Sequence, residues 1–258
     1  MKVDVDTWIG HWPFRSLPER RAGDLLRRMD RLGIDKAWVG NLNGVLYKDV
    51  HESNAELAAE VKGKRDRLIP CALIDPNYDG WKEDLLRCRE SFGMPLLRLL
   101  PDYHGYGVES DRARELVSYA REIRMRTALL GRVVDPRGRH RLDPGREMDA
   151  DRASKLLQAF PEEVFLMLNF PRIVDEGREK PCLYDIPRFV GENGLRLERE
   201  IRRWGASRFA LGTTLLLRYG RPSVLALERC SLSEKEREAV EWRNMEEFLR
   251  GEAEREES

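Results

Sequence analysis

Asp6 closes the first apolar run of the chain, and His104 and His140 fall just after two later runs. A carboxylate and two imidazoles of near-neutral pKa suit acid–base work, so Asp6, His104 and His140 form the candidate catalytic set. Trp8, Arg98, Tyr103, Arg132, Asp135, Arg137, Asn169 and Thr214 stand on or just after apolar runs and form the candidate ligand-contacting set. Arg98, Arg132 and Arg137 suit a bidentate clamp on a carboxylate or phosphate. The other reading is that they form salt bridges to Asp102, Asp135 or Asp6. Of the two remaining histidines, His51 precedes a helical stretch and reads as surface. His11 lies among Trp8, Trp12 and Phe14 and reads as packing or a backbone hydrogen bond. Cys71, Cys88, Cys182 and Cys230 are not paired at metal-ligand spacing and read as free thiols.

The elements that must position these residues alternate. Short apolar runs cover residues 2–6, 36–41, 68–74, 95–100, 126–133, 164–169, 182–186 and 208–213. They lack polar alternation, as expected of parallel strands buried on both faces. Amphipathic stretches lie between them at 18–32, 53–64, 79–92, 110–123, 149–160 and 187–204. Ser53 is the expected cap of the second. A short helix around 225–227 and a tail helix over 231–251 follow, the latter opening on a Ser233–Glu236 capping box. Strand then helix, repeated eight times in about 250 residues, predicts a (β/α)8 TIM barrel. It forms a single domain over 1–251 with short C-terminal helices, and 252–258 is a frayed charged tail. The runner-up is an open doubly wound sheet, but neither GxGxxG nor GxxxxGK[ST] follows the first strand. Active sites of such barrels sit at the C-terminal strand ends, where both candidate sets fall.

Composition excludes several partners. Lys+Arg and Asp+Glu both number 46, so the formal charge is zero and no global field favours nucleic acid or an anionic membrane. Charged residues reach 36%, above the usual quarter or so. Such density reads either as a thermophile-like surface of ion pairs or as the arginine bias of a GC-rich genome. No apolar run reaches the roughly 18 residues of a membrane span. The opening MKVDVDTW is not a signal peptide, so the cytoplasm is expected.

Four segments carry a family resemblance. VDVDTWIGHWPF resembles the first strand of amidohydrolase-related proteins, a superfamily of TIM-barrel metal-dependent hydrolases and decarboxylases, where the pattern is Asp-x-His-x-His-x-Gly. LLRLLPDYHGYGV resembles a Pro-x-Tyr-His-x-Tyr segment on strand four of one subgroup. GRVVDPRGRH resembles its strand-five Asp-x-Arg-x-x-His, and FALGTTLLL its terminal strand, where Gly-[Ser/Thr]-Asp is common. The departures fall at the metal ligands. The His-x-His aligns with Asp6-Thr7-Trp8, a strand-six His with Asn169, and the strand-eight Asp with Thr214. Indole nitrogen only donates, and zinc needs about three good donors. No cofactor is therefore expected, and a divalent metal such as zinc only through nonstandard ligands such as Asp6, Asp135 and a His.

Three functions follow: a barrel that binds a small molecule without catalysis; a hydrolase or decarboxylase with an altered site acting on a small carboxylate; or a normal site hidden by misalignment. A small-molecule ligand is expected in the first two, with homo-oligomerisation left open.

Overall fold

A computed structural model describes residues 1–190 and 195–250 of the chain. Its strands are β1 (Val3–Ile9), β2 (Lys36–Asn41), β3 (Leu68–Pro70), β4 (Ala72–Leu73), β5 (Leu96–Leu99), β6 (Arg126–Leu130), β7 (Leu166–Leu168), β8 (Leu183–Asp185) and β9 (Phe209–Ala210). They pair in parallel in two runs, β1-β2-β3 and β4 to β9. β3 and β4 are one barrel strand interrupted at Cys71, whose N–H still donates to the Val39 carbonyl at 2.8 Å. The ring closes where β1 meets the last strand: Val5 N–H donates to Leu211 O at 2.9 Å, Thr214 N–H to Asp6 O at 2.7 Å and Trp8 N–H to Leu215 O at 2.7 Å. The expected eight-stranded TIM barrel is what the chain forms, not an open sheet.

Successive strand residues point to opposite faces, and both faces are apolar. Val39, Leu97, Leu99, Leu129, Met167 and Phe209 pack outward under the helices. Trp38, Leu96, Ala128, Leu130, Leu166 and Ala210 fill the interior. This is why the runs show no polar alternation.

The helices are α1 (Ala22–Leu32), α2 (Val50–Glu60), α3 (Trp81–Glu90), α4 (Pro101–His104), α5 (Asp111–Glu122), α6 (Ala150–Ala159), α7 (Leu195–Trp204), α8 (Arg221–Arg229), α9 (Glu234–Glu238) and α10 (Asn244–Arg250). α2 begins three residues before the expected Ser53, because Asp49 caps it by accepting from His51 N–H at 3.0 Å. Ser53 is buried inside the helix, and its hydroxyl donates back to Val50 O at 2.8 Å. The Ser233–Glu236 capping box forms as expected. Of the expected helix over 187–204, residues 187–189 form a turn in which Phe189 N–H donates to Ile186 O, residues 191–194 lie outside the described residues, and the helix runs from Leu195; the expected tail over 252–258 also lies outside the described residues.

The repeat breaks between β7 and β8, where no helix forms and irregular chain makes the crossover. Buried Asp175 anchors it, accepting from Cys182 N–H at 2.6 Å, Tyr184 Oη at 2.7 Å and Arg208 Nη2 at 2.5 Å. At the barrel floor, Met245 and Phe248 of α10 join the interior cluster. Asn244 Nδ2 donates to Ala206 O and Phe209 O, each at 2.8 Å.

Candidate functional site

The C-terminal mouth holds two adjoining arrangements, a closed polar network on the barrel axis and an open cationic cavity beside it. The network centres on Asp6. Its Oδ1 accepts from Trp8 Nε1 at 2.9 Å and from Arg98 Nη1 at 3.4 Å. Its Oδ2 accepts from Asn169 Nδ2 at 2.8 Å and from Thr214 Oγ1 at 2.9 Å. Arg98 also donates to the carbonyls of Val5 (3.1 Å), Trp38 (2.8 Å) and Thr7 (3.2 Å). Asp6, Trp8, Arg98, Asn169 and Thr214 all have zero solvent exposure.

The backbone is shaped to permit this. Asn169 and Thr214 adopt φ of 55° and 56° at their strand ends. That left-handed region suits Asn but strains β-branched Thr, and the turn sends both side chains to one oxygen. Gly40 leaves room for the indole: a Cβ there would stand 2.7 Å from Trp8 Cζ3.

Two further acids lie beneath. Asp185 Oδ1 accepts from Asn169 N–H at 2.7 Å. Burial first, then the neighbouring charge of Asp6, drives its pKa well above the usual carboxylate range. Asp4 accepts from the Asp6 and Thr213 N–H groups, each at 3.1 Å, and from the Thr213 hydroxyl. Burial pushes it up to about 8 despite those bonds.

The cavity has a volume of about 1090 Å³ and lies over the ends of β6, β8 and β9, bounded by the chain leading into α1. Arg132, Arg188 and Arg218 meet in it. The Arg132 side chain is only 10% exposed, and its pKa falls to about 10, from burial first and then from repulsion by Arg188 and Arg218. Asp135 (3.1 Å) and Glu147 (3.5 Å) pair with Arg132, and Glu147 also pairs with Arg188 (2.9 Å). Among the described residues, three donors, Arg132 Nε, Arg188 Nη1 and Arg218 Nη2, are buried without a partner. Preorganised guanidiniums with unused N–H groups are an anion site.

The candidate residues separate. Asp6, Trp8, Arg98, Asn169 and Thr214 assemble into the axial network, while Arg132, Asp135 and Arg137 line the cavity. The salt-bridge reading of the three arginines holds, with Arg98 on Asp6 and both Arg132 and Arg137 on Asp135. His104 and His140 do not join Asp6. His104 is buried with Nδ1 3.2 Å from Ile74 O and Nε2 3.0 Å from Gly44 O. His140 is exposed and stacks on Phe14 at 5.7 Å. Tyr103 donates to Asp143 at 3.0 Å. His51 is half-buried at the surface, its side chain 15% exposed, stacked on Phe92 and 3.5 Å from Asp84. His11 is exposed, and its N–H donates to Asn43 at 2.8 Å. All four cysteines are buried free thiols. Sequence reading missed Asp4, Asp185, Arg188 and Arg218. Arg188 and Arg218 follow the seventh and eighth strands by a few residues, so reading further past each strand end would have found them.

The sequence matches no family model and no curated protein. Solved structures do match across almost the whole chain. A 2,6-dihydroxybenzoate decarboxylase from Rhizobium has 16% identity and a TM-score of 0.72, covering 96% of this chain and 98% of that one. A 5-carboxyvanillate decarboxylase from Sphingomonas paucimobilis has 11% identity and a TM-score of 0.74, with coverages of 97% and 99%. A dihydroxybenzoic acid decarboxylase from Polaromonas sp. JS666, with bound manganese and 2-nitroresorcinol, has 14% identity and a TM-score of 0.71, with 96% of each chain covered. The TIM-barrel fold implied by the resemblance of the four segments therefore holds, and one further structure of that fold, at 10% identity and a TM-score of 0.73, is described as a putative amidohydrolase from Staphylococcus aureus.

The manganese corrects the expectation that no cofactor belongs here, since this neighbour and a 5-carboxyvanillate decarboxylase from Novosphingobium aromaticivorans both carry that divalent ion. Such an ion needs several free electron-pair donors converging on one point. Both Asp6 oxygens are committed to N–H and O–H donors, and the Arg98 guanidinium stands on one of them. Among the described residues no three His, Cys, Asp or Glu side chains converge on one point. The arrangement as it stands does not fit a divalent ion. No helix among the described residues is long and apolar enough to cross a membrane.

Proposed function

We propose that the protein binds a small carboxylate-bearing molecule in the cavity at the barrel mouth and acts on it as a hydrolase or decarboxylase. The carrying observation is the Arg132–Arg188–Arg218 cluster, with its unpartnered buried donors. The reaction class is supported by the neighbours, which are named as decarboxylases of aromatic carboxylates and, in one case, as a probable 2-pyrone-4,6-dicarboxylic acid hydrolase. In this reading the guanidiniums fix the substrate carboxylate, Asp135 and Glu147 hold the guanidiniums in place, and the axial network keeps the strand ends in register. A cytoplasmic setting is part of the proposal, supported by four cysteines that are all buried and unpaired.

A panel of aromatic and pyrone carboxylates, tested with and without added manganese, checks it. Melting shifts, carbon dioxide release and ring-opening are the readouts. At least one member should raise the melting temperature and be consumed, and Arg132→Gln with Arg188→Gln should abolish both effects. A panel that leaves the wild-type melting curve unmoved overturns the reading.

A second reading, binding without turnover, is favoured by one observation: Asp6 and Asp185 have no exposure to the cavity. It predicts melting shifts from carboxylates that are never consumed.

A further inference from the structure

The cavity at the barrel mouth has a polar end and an apolar end. Among the described residues, the buried donors without a partner that line it are Arg132 Nε, Arg188 Nη1 and Arg218 Nη2. They follow β6, β8 and β9, at the mouth. From there the cavity continues beside α1 as far as Leu32. Leu32 is the last residue of α1, and β2 starts at Lys36. The helix returns the chain from the mouth toward the floor, so a cavity that touches both Arg132 and Leu32 is elongated.

The far end offers little to a second charge. Arg28 is paired to Glu19 at 2.5 Å and Arg221 to Glu228 at 3.4 Å. Arg15 donates to Leu217 O, and Arg31 is exposed at the rim. What remains is leucine: Leu32 and Leu216 are partly buried, and Leu215 and Leu217 are buried. Leu32 and Leu215 close against the bare backbone of Gly220, where a Cβ would stand 3.0 Å from Leu32 Cδ1 and 2.9 Å from Leu215 Cδ2. The stretch between α1 and α8 therefore has a continuous apolar floor. The volume of about 1090 Å³ is at the top of the roughly 300–1,000 Å³ span of small-molecule sites, more than a single ring bearing a carboxylate would occupy.

We infer that the ligand of this cavity is a monocarboxylate with an unbranched apolar tail, its carboxylate on the Arg132–Arg188–Arg218 cluster and its tail on the leucine floor between α1 and α8. One headgroup meets the unused donors. The tail takes apolar surface out of water where a second charge would be desolvated without a partner. The inference rests on the reading of the cavity as a carboxylate site given above.

Titration calorimetry on the full chain tests it with straight-chain monocarboxylates from butanoate to decanoate, kept below micelle-forming concentrations, and with the α,ω-dicarboxylates of the same lengths. Affinity for the monocarboxylates should rise about two- to four-fold with each added methylene, the upper value being the worth of one fully buried CH2. Each long dicarboxylate should bind more weakly than its monocarboxylate, because its second charge meets leucines. Leu32→Asn and Leu216→Asn, both at partly buried positions, should flatten the rise and leave butanoate binding unchanged; either variant that keeps the wild-type melting temperature serves. Arg188→Gln should weaken every length by a similar factor and leave the rise intact. A flat series, or dicarboxylates that match their monocarboxylates, overturns the tail while the carboxylate site stands. A rise that survives both leucine changes overturns the assigned floor. Tight decanoate binding indifferent to Arg188→Gln overturns it as well, since the tail is then held elsewhere. If neither these series nor the aromatic acids bind, the carboxylate reading itself falls.

Discussion

The guanidinium carbon of Arg98 lies 4.8 Å over the ring of Trp8, and both side chains donate to the same carboxylate, Asp6. The barrel axis thus carries a charge pair roofed by an indole. Its members come from strands β1 and β5, distant in sequence and brought together inside the barrel, where Arg98 also donates to Val5 O and Trp38 O.

Breaking that pair leaves an uncompensated buried charge. Arg98→Met and Asp6→Asn should each cost about 3–5 kcal/mol of unfolding free energy, the first by stranding the Asp6 carboxylate, the second by leaving the Arg98 charge buried and turning an amide NH2 toward groups that all donate. The double variant should lose less than the sum of the two. Urea denaturation of all four proteins measures this, and strict additivity would show that the two groups do not interact.

Gly40→Ala tests how closely the indole is seated. The added Cβ would stand 2.7 Å from Trp8 Cζ3, an overlap worth roughly 1–3 kcal/mol in a packed core. A thermal melt unchanged from wild type would place Trp8 elsewhere.

Stability should fall as pH rises from about 4 to about 8, because Asp4 is pushed up to about 8 in the fold, while in the unfolded chain it ionises near 3.9. The contribution is complete below the unfolded value and is lost as pH climbs through the folded one, since the folded protein holds the proton longer. Asp185, also raised, adds to the same slope. Asp4→Asn should flatten part of it, so the variant gains on wild type at pH 8 relative to pH 5. Parallel pH profiles for the two proteins would rule out Asp4 as the source.

Arg218→Gln should stabilise the ligand-free protein by about 1 kcal/mol, since a site poised for an anion is strained without one. Among the described residues Arg218 has no carboxylate at ion-pair distance, and it adds to the repulsion on Arg132. The same change should cut the melting shift produced by carboxylates. A variant that is less stable yet binds as before would contradict the anion site.

Thr214→Asn should be neutral or stabilising, because Asn tolerates φ of 56° and can still donate to Asp6. Thr214→Val keeps the strain and loses the donor, and should cost about 1–3 kcal/mol.

The ring was legible in the sequence because each run, such as the β5 segment with Leu97 and Leu99 outside and Leu96 inside, is apolar on both faces. The axial half of the site was legible too, since Asp6, Trp8, Asn169 and Thr214 end their strands. The cavity half was hidden. Arg188 and Arg218 follow their strands by a few residues, in a chain whose 46 basic side chains are mostly arginine, so two more carried no signal. His104 misled for another reason. Its loop position suits a pocket, and only the folded chain shows its ring held between two backbone carbonyls. The crossover after β7 was equally unreadable, because buried Asp175 takes the place of a helix there.

The first strand has its last neighbour supplied by residues 211–215, and the barrel floor is stoppered by Met245 and Phe248. A ribosome delivers those pieces after all the other strands. Until they emerge, the nascent chain must carry an open edge along β1 and an uncovered greasy interior, both invitations to stray pairing. Holdase chaperones should therefore engage the nascent chain once β1 to β8 have emerged, and release it once the segment through Phe248 has cleared the exit tunnel.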